Sequence, residues 1–272
     1  MASTSSVDSV SNKDGFPYRL IDSHHHVWTV GSLPYAYAEG QSAPPGLQEK
    51  GSVEEFLGLA ANAGVQRSLI VQPILYMFDH SYVRAALERY PERFQGMLVA
   101  NPALSPQEAT AELGRLQSQG FNSVRFNPYI WPAGEKVRRE NKGGERHRRG
   151  EGKGMDNPTG RALYAEAGRR TMPVGHMLFK GLHLHLPEVQ ALLNLSPQTR
   201  VVIDHWGFFH QQGRLVPEAW AALLSLAEYP QVHVKISAFF RVSSQPWPFQ
   251  DLAPRLEELV KVYGSERLMW GR

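Results

Sequence analysis

Apolar positions in this chain recur in short runs, and most runs are followed by a stretch whose apolar residues carry helical spacing. Eight runs stand out: "YRLID" (18–22), "RSLIVQP" (67–73), "FQGMLVANP" (94–102), "FNSVRFNP" (121–128), "MPVGHML" (172–178), "RVVIDHWG" (200–207), "VHVKIS" (232–237) and "RLMWG" (267–271). Turn residues follow each one. Between them, "SVEEFLGLAANAG" (52–64) opens with Ser52 three residues ahead of Glu55, the spacing of a capping box, and closes at Gly64. "DHSYVRAALERY" (79–90) stops before Pro91, and "SPQEATAELGRLQSQG" (105–120) runs from Ser105 and Pro106 to Gly120. Further helices are predicted over 156–170, 187–195, 216–228 and 251–263. Strands that are apolar almost throughout are buried on both faces, which means a parallel sheet covered by helices. Eight such units predict an α/β fold, a closed (β/α)8 TIM-type barrel. No G-x-G-x-x-G follows the first strand, which weighs against an open dinucleotide-binding sheet.

Composition sharpens this picture at a few points. The 272 residues, 42% of them apolar, match the about 250 that one such barrel commonly takes. There is no cysteine, so disulfides and thiolate metal sites are excluded, and any metal must be held by His, Asp, Glu or Lys-derived groups. No apolar run approaches the roughly 20 residues that cross a bilayer, and no membrane partner is expected. Residues 1–17 read as a disordered leader of a cytoplasmic protein. A plastid transit peptide is the alternative, weakened by the lack of any Arg before Arg19.

The net charge of +3 is concentrated in one place. Residues 137–153, "VRRENKGGERHRRGEGK", hold seven Lys/Arg against three Glu, and the remainder is close to neutral. No stacking aromatics interleave those charges, so a nucleic-acid partner is not expected. The segment reads as a disordered basic insertion interrupting a single barrel domain over 18–272. Nothing in the sequence fixes the oligomeric state.

Candidate chemistry begins at "LIDSHHHVW" (20–28). With 11 histidines, a His-x-His pair arises by chance roughly 0.4 times, and the chain has two, His24/His26 and His183/His185. Placement therefore carries more weight than spacing. Active sites of such barrels sit at the C-terminal ends of the strands. The polar residues falling there are Asp22, His24 and His26, then Gln72, Asn101, Arg125, Asn127, His176, His205, Lys235 and Ser237. Side chains two apart share a face, so Asp22, His24 and His26 should point together while His25 faces the helices. The same alternation turns Asp204 away from His205. His183 and His185 fall on the loop after strand five and read as a surface pair.

Taken together, "IDSHHHVW", "GFNSVRFNP", "PVGHMLFKG", "VVIDHWGF" and "VKISAFFR" resemble the amidohydrolase-related family, in the branch containing sugar lactonases and 2-pyrone-4,6-dicarboxylate hydrolase. The resemblance spans residues 18–271 apart from the charged insertion. It implies a barrel hydrolase with His24, His26 and His205, and more loosely His176, as ligands of a divalent metal such as zinc, although some lactonases of the family work without one. It further implies attack of water on a lactone or similar cyclic ester, with His205 and Asp22 as catalytic candidates. Arg125, Asn127 and Ser237 are the substrate-binding candidates, Arg125 by gripping a substrate carboxylate or else by closing a salt bridge at the mouth. The expected partner is a small molecule, a carboxylated or sugar-like lactone.

Two departures from the family pattern stand out. Residues 137–153 could be an in-frame stretch of retained intron. Family members also continue past the eighth strand with an Asp that serves as base or ligand, whereas this chain stops at "LMWGR". That implies a missing last helix, poor activity and marginal stability. Two other functions stay open: a metal-assisted decarboxylase on the same barrel, and an inactive pseudoenzyme or nucleic-acid binder.

Overall fold

The computed structural model describes residues 19–132 and 154–271. The expected leader and the charged segment 137–153 lie outside the described residues. Eight parallel strands form one sheet in sequential order: β1 (Leu20–His25), β2 (Val65–Val71), β3 (Phe94–Val99), β4 (Phe121–Phe126), β5 (Val174–His176), β6 (Val201–Ile203), β7 (Val232–Ile236) and β8 (Leu268–Trp270). Helices α1 (Val53–Asn62), α2 (Ser81–Arg89), α3 (Pro106–Gln117), α4 (Pro158–Arg169), α5 (Leu186–Leu195), α6 (Pro217–Ser225) and α7 (Ala253–Tyr263) alternate with them. This is the predicted (β/α)8 barrel, nearly closed. At the seam between its first and last strands, a methyl group on Gly271 would come within 3.0 Å of Ser23 Oγ and 3.2 Å of the Cβ atoms of His24 and Ser237. Only glycine lets the end of β8 lie that close to β1 and β7. Among the described residues, no helix is long and apolar enough to cross a membrane.

The main core lies between strands and helices, where Phe56, Leu87, Leu113, Leu163, Leu192, Leu223 and Leu259 are all buried. Helix starts follow local chemistry. At α3, Ser105 Oγ accepts from Glu108 N at 3.3 Å while Glu108 Oε2 accepts from Ser105 N at 2.9 Å, a complete capping box. At α1 only half of the expected box forms, Ser52 Oγ accepting from Glu55 N at 3.1 Å. At α4, Asn157 Oδ1 accepts from Gly160 N at 2.8 Å.

Two irregularities shape the mouth. In β1, the register to β2 slips between Asp22, opposite Ser68, and His25, opposite Ile70, so three steps on one strand face two on the other. Such a bulge re-aims the side chains around it. After β6 the chain enters a left-handed turn, with φ of +50° at His205, +57° at Trp206, +64° at Gly207 and +51° at Phe208. Three of these are not glycine, and each carries a backbone cost of about 1–2 kcal/mol.

Candidate active site

That turn corrects the expectation for Asp204. Strict alternation holds only inside a strand, and β6 ends at Ile203. The left-handed backbone at His205 lets Asp204 and His205 face the same mouth. Asp204 is fully buried, and its Oδ2 accepts from Arg125 Nε at 3.0 Å and Nη2 at 2.9 Å. Its Oδ1 lies 3.2 Å from Lys235 Nζ and 3.5 Å from His24 Nδ1. Burial alone would raise this carboxyl, but Lys235, Arg125 and His24 together hold it well below the usual carboxylate range.

His24 and His26 face each other with their Nε2 atoms 3.3 Å apart, and the His24 and His205 ring centres are 4.4 Å apart. His25 turns to the helices, stacking on Phe56 at 3.5 Å, as the alternation predicts. His26 Nδ1 sits 2.8 Å from Val71 O, and His205 Nδ1 lies 2.7 Å from Ser237 Oγ. Burial is the main reason these rings stay neutral. It lowers His26 to about 3 and His205 to about 4, and it moves His24 well below its ordinary value with help from the Lys235 charge.

The other expected site residues are placed less uniformly. Arg125 lines the mouth and also makes the salt bridge offered as its alternative role. Asn127 lines the same cavity, its Oδ1 accepting from Tyr129 N at 3.1 Å. Ser237 is fully buried against His205. Asp22 is also buried. Its Oδ1 accepts from His24 N at 3.0 Å, while Oδ2 lies 4.0 Å from His25 Nδ1, so the bulge takes it beyond the face of His24 and His26. His176 packs edge-on to Phe126 at 5.7 Å, its pKa pushed down to about 4 by burial, and it stands outside the His24–Asp204–His205 group.

Three residues that the sequence left without a role matter here. Lys235, fully buried, joins Asp204 to His24, with Nζ 3.2 Å from His24 Nδ1. A lysine inside the apolar run "VHVKIS" was the available signal, since a buried charge must be paired. Asp204 was set aside by alternation. Arg241, on a short helical turn after β7, lines the mouth and is exposed; nothing in "AFFR" announces it.

The mouth encloses a cavity of about 400 Å³, with Trp28, Leu75 and Phe179 among its apolar walls and His26, Gln72, Arg125, Asn127 and Arg241 as polar contacts. A larger cavity of about 490 Å³ lies against β3 and α3, reaching His80 and Leu163, and shares only Val99 with it. Of the two, the smaller is the one that His26 and Arg125 line.

His24, Asp204 and His205 each offer a ligand atom within 4.8 Å of the others, a possible divalent-metal site. The donor types suit zinc. The surroundings do not fit it, because an ammonium already stands 3.2 Å from both His24 Nδ1 and Asp204 Oδ1, and a guanidinium holds the other carboxylate oxygen.

Comparison with known proteins agrees with this fold. The profile of the amidohydrolase family matches residues 21–272. A 4-sulfomuconolactone hydrolase from Rhizobium radiobacter is 24% identical over 256 residues, covering 92% of this chain and 73% of that protein. A D-galactarolactone isomerase from Agrobacterium fabrum is 31% identical over 266 residues, covering 94% and 76%. A zinc-bound amidohydrolase structure from Burkholderia multivorans shares the fold with a TM-score of 0.64 at 16% identity, covering 93% of this chain and 84% of that one. With its eight-stranded barrel and its histidines gathered at the strand ends, this chain belongs to the amidohydrolase family and is an enzyme of that family.

Proposed function

We propose that the chain hydrolyses a lactone bearing a carboxylate. The observation that carries this reading is the mouth cavity, apolar-walled with His26, Arg125 and Arg241 among its polar contacts, His26 belonging to the cluster of neutral imidazoles. Arg241, exposed and on a surface turn, takes the substrate carboxylate, the recognition for which a guanidinium fork is suited. Arg125 gives Nε and Nη2 to Asp204, leaving Nη1 to meet the carbonyl oxygen as it becomes negative. His205 Nδ1 lies 2.7 Å from Ser237 Oγ, and in the tautomer whose Nδ1–H donates to that hydroxyl, Nε2 carries the lone pair that accepts a proton from the attacking water. Asp22 acts one step back, by holding the backbone at His24.

The lactone hydrolase and lactone isomerase relatives support the substrate class, and the isomerase favours a second reading in which the ring is moved rather than opened. Purified protein offered carboxylated and neutral lactones of equal ring size separates them. Hydrolysis of the carboxylated set releases acid and gives an open hydroxy acid. A rearranged lactone without acid release supports isomerisation, and inert lactones of both sets overturn the proposal.

A further inference from the structure

The protonation of the histidine pair can be read from its neighbours. Val71 O can only accept, so His26 Nδ1, at 2.8 Å, carries the proton. Two ring nitrogens in contact cannot both donate, and the Lys235 ammonium, a donor only, makes His24 Nδ1 an acceptor, which leaves the His26 lone pair on Nε2. His24 Nε2, 3.3 Å away, must then be the donor, and the His24 lone pair lies on Nδ1. Lys235 Nζ, a donor only, stands 3.2 Å from that atom. One consistent chain runs from Lys235 through His24 and His26 to the Val71 carbonyl.

We propose that Lys235 is the resident cation of this site and the positioning residue that fixes the tautomers of His24 and His26, so that the pair is not a metal chelate. A ligating histidine normally turns its other N–H to a carboxylate or carbonyl. His26 does so, but His24 turns a lone pair to an ammonium. Asp204 Oδ1, at 3.5 Å from His24 Nδ1, would supply the metal-binding arrangement if Lys235 were not the nearer partner. Charge points the same way. Two carboxylates, Asp204 and Asp22, face two cations, Arg125 and Lys235, and both carboxylates bear on Lys235. A dication added here would leave buried positive charge without a counter-charge.

The inference does not rest on the lactone reading, because its readouts are bound metal and ring protonation. The whole chain is equilibrated with micromolar zinc, gel-filtered, and its zinc counted beside a His24→Gln, His26→Gln double variant. Nitrogen-15 spectra of the histidines report the tautomers, with His24→Gln assigning the His24 signal. The expected wild type carries no more zinc than the double variant and shows His24 protonated on Nε2. Lys235→Gln, whose amide oxygen can accept from His24 Nδ1–H, is expected to gain zinc affinity by about 10- to 100-fold. One zinc per wild-type chain that the double variant lacks, or His24 protonated on Nδ1, overturns the proposal. A folded Lys235→Gln that gains no zinc overturns Lys235 as the excluding group. If that variant fails to fold, the wild-type measurements still decide.

Discussion

Asp204 is the residue on which the buried ionic cluster turns, since Arg125 and Lys235 both depend on its carboxylate. Removing one partner of a buried ion pair costs about 3–5 kcal/mol, because the remaining charge has neither water nor counter-ion. Asp204→Asn keeps the shape and removes the charge, so it should lower the unfolding free energy measured by urea denaturation by that amount. Stability within about 1 kcal/mol of wild type would mean that water reaches the cluster. Arg241 predicts the opposite profile. Its side chain is exposed and its guanidinium lies 5.5 Å from the Phe240 ring, so Arg241→Gln should leave the melting temperature unchanged. A lost charge-assisted hydrogen bond of about 1.5 kcal/mol raises KM for a carboxylated lactone by about tenfold. A neutral lactone should show no change, and equal effects on both substrates would remove Arg241 from carboxylate recognition.

At the scale of elements, the helix starts and the mouth irregularities answer to different physics. Helices begin where a side chain can satisfy free backbone N–H groups, and that chemistry is local. Ser105→Ala should therefore cost about 1 kcal/mol by unmaking the box at α3, measurable by urea denaturation. The loop between β1 and α1 is set by contact instead. A methyl group on Gly51 would fall 2.1–2.4 Å from the Trp28 indole, and Trp28 lines the cavity. Gly51→Ala should displace that ring and raise KM more than it lowers the melting temperature; an unchanged KM would show that Trp28 does not shape the bound state.

The same contrast explains what the sequence made legible. Periodicity and caps located all eight strands and the helices between them, and placement at strand ends brought His24, His26, His205, Arg125 and Asn127 into one region. The inward turn of Asp204 depends on left-handed backbone after β6, and the reach of Asp22 to His25 depends on a bulge in β1. A period of two cannot register either. Lys235 was visible as a charge in an apolar strand, but its partners come from β1 and the turn after β6.

Across the whole molecule, acid should act through buried imidazoles. His26 is lowered to about 3, and His80, His176 and His205 to about 4, in each case chiefly by burial. The unfolded chain protonates these rings near 6.5, so between that value and about 4 it binds more protons than the native state. Stability is therefore fully present above pH 6.5 and is lost as pH falls through this window. Urea midpoints taken at steps from pH 7.5 to 4.5 should fall steeply below 6.5, and a flat profile would mean that these rings are charged in the native state.

On the proposed function, the mouth cavity opens a carboxylated lactone with His205 as proton acceptor. Acid release from such a lactone, followed at constant pH for wild type, for His205→Asn and for His25→Phe, tests it most directly. The wild type should release acid saturably, and His25→Phe, altered on the helix-facing side, should retain that rate. His205→Asn should fold and lose about 100-fold or more in kcat, the contribution typical of a general base. No acid release by wild type would overturn the lactone hydrolysis, and a His205→Asn variant that works at the wild-type rate would overturn His205 as its proton acceptor.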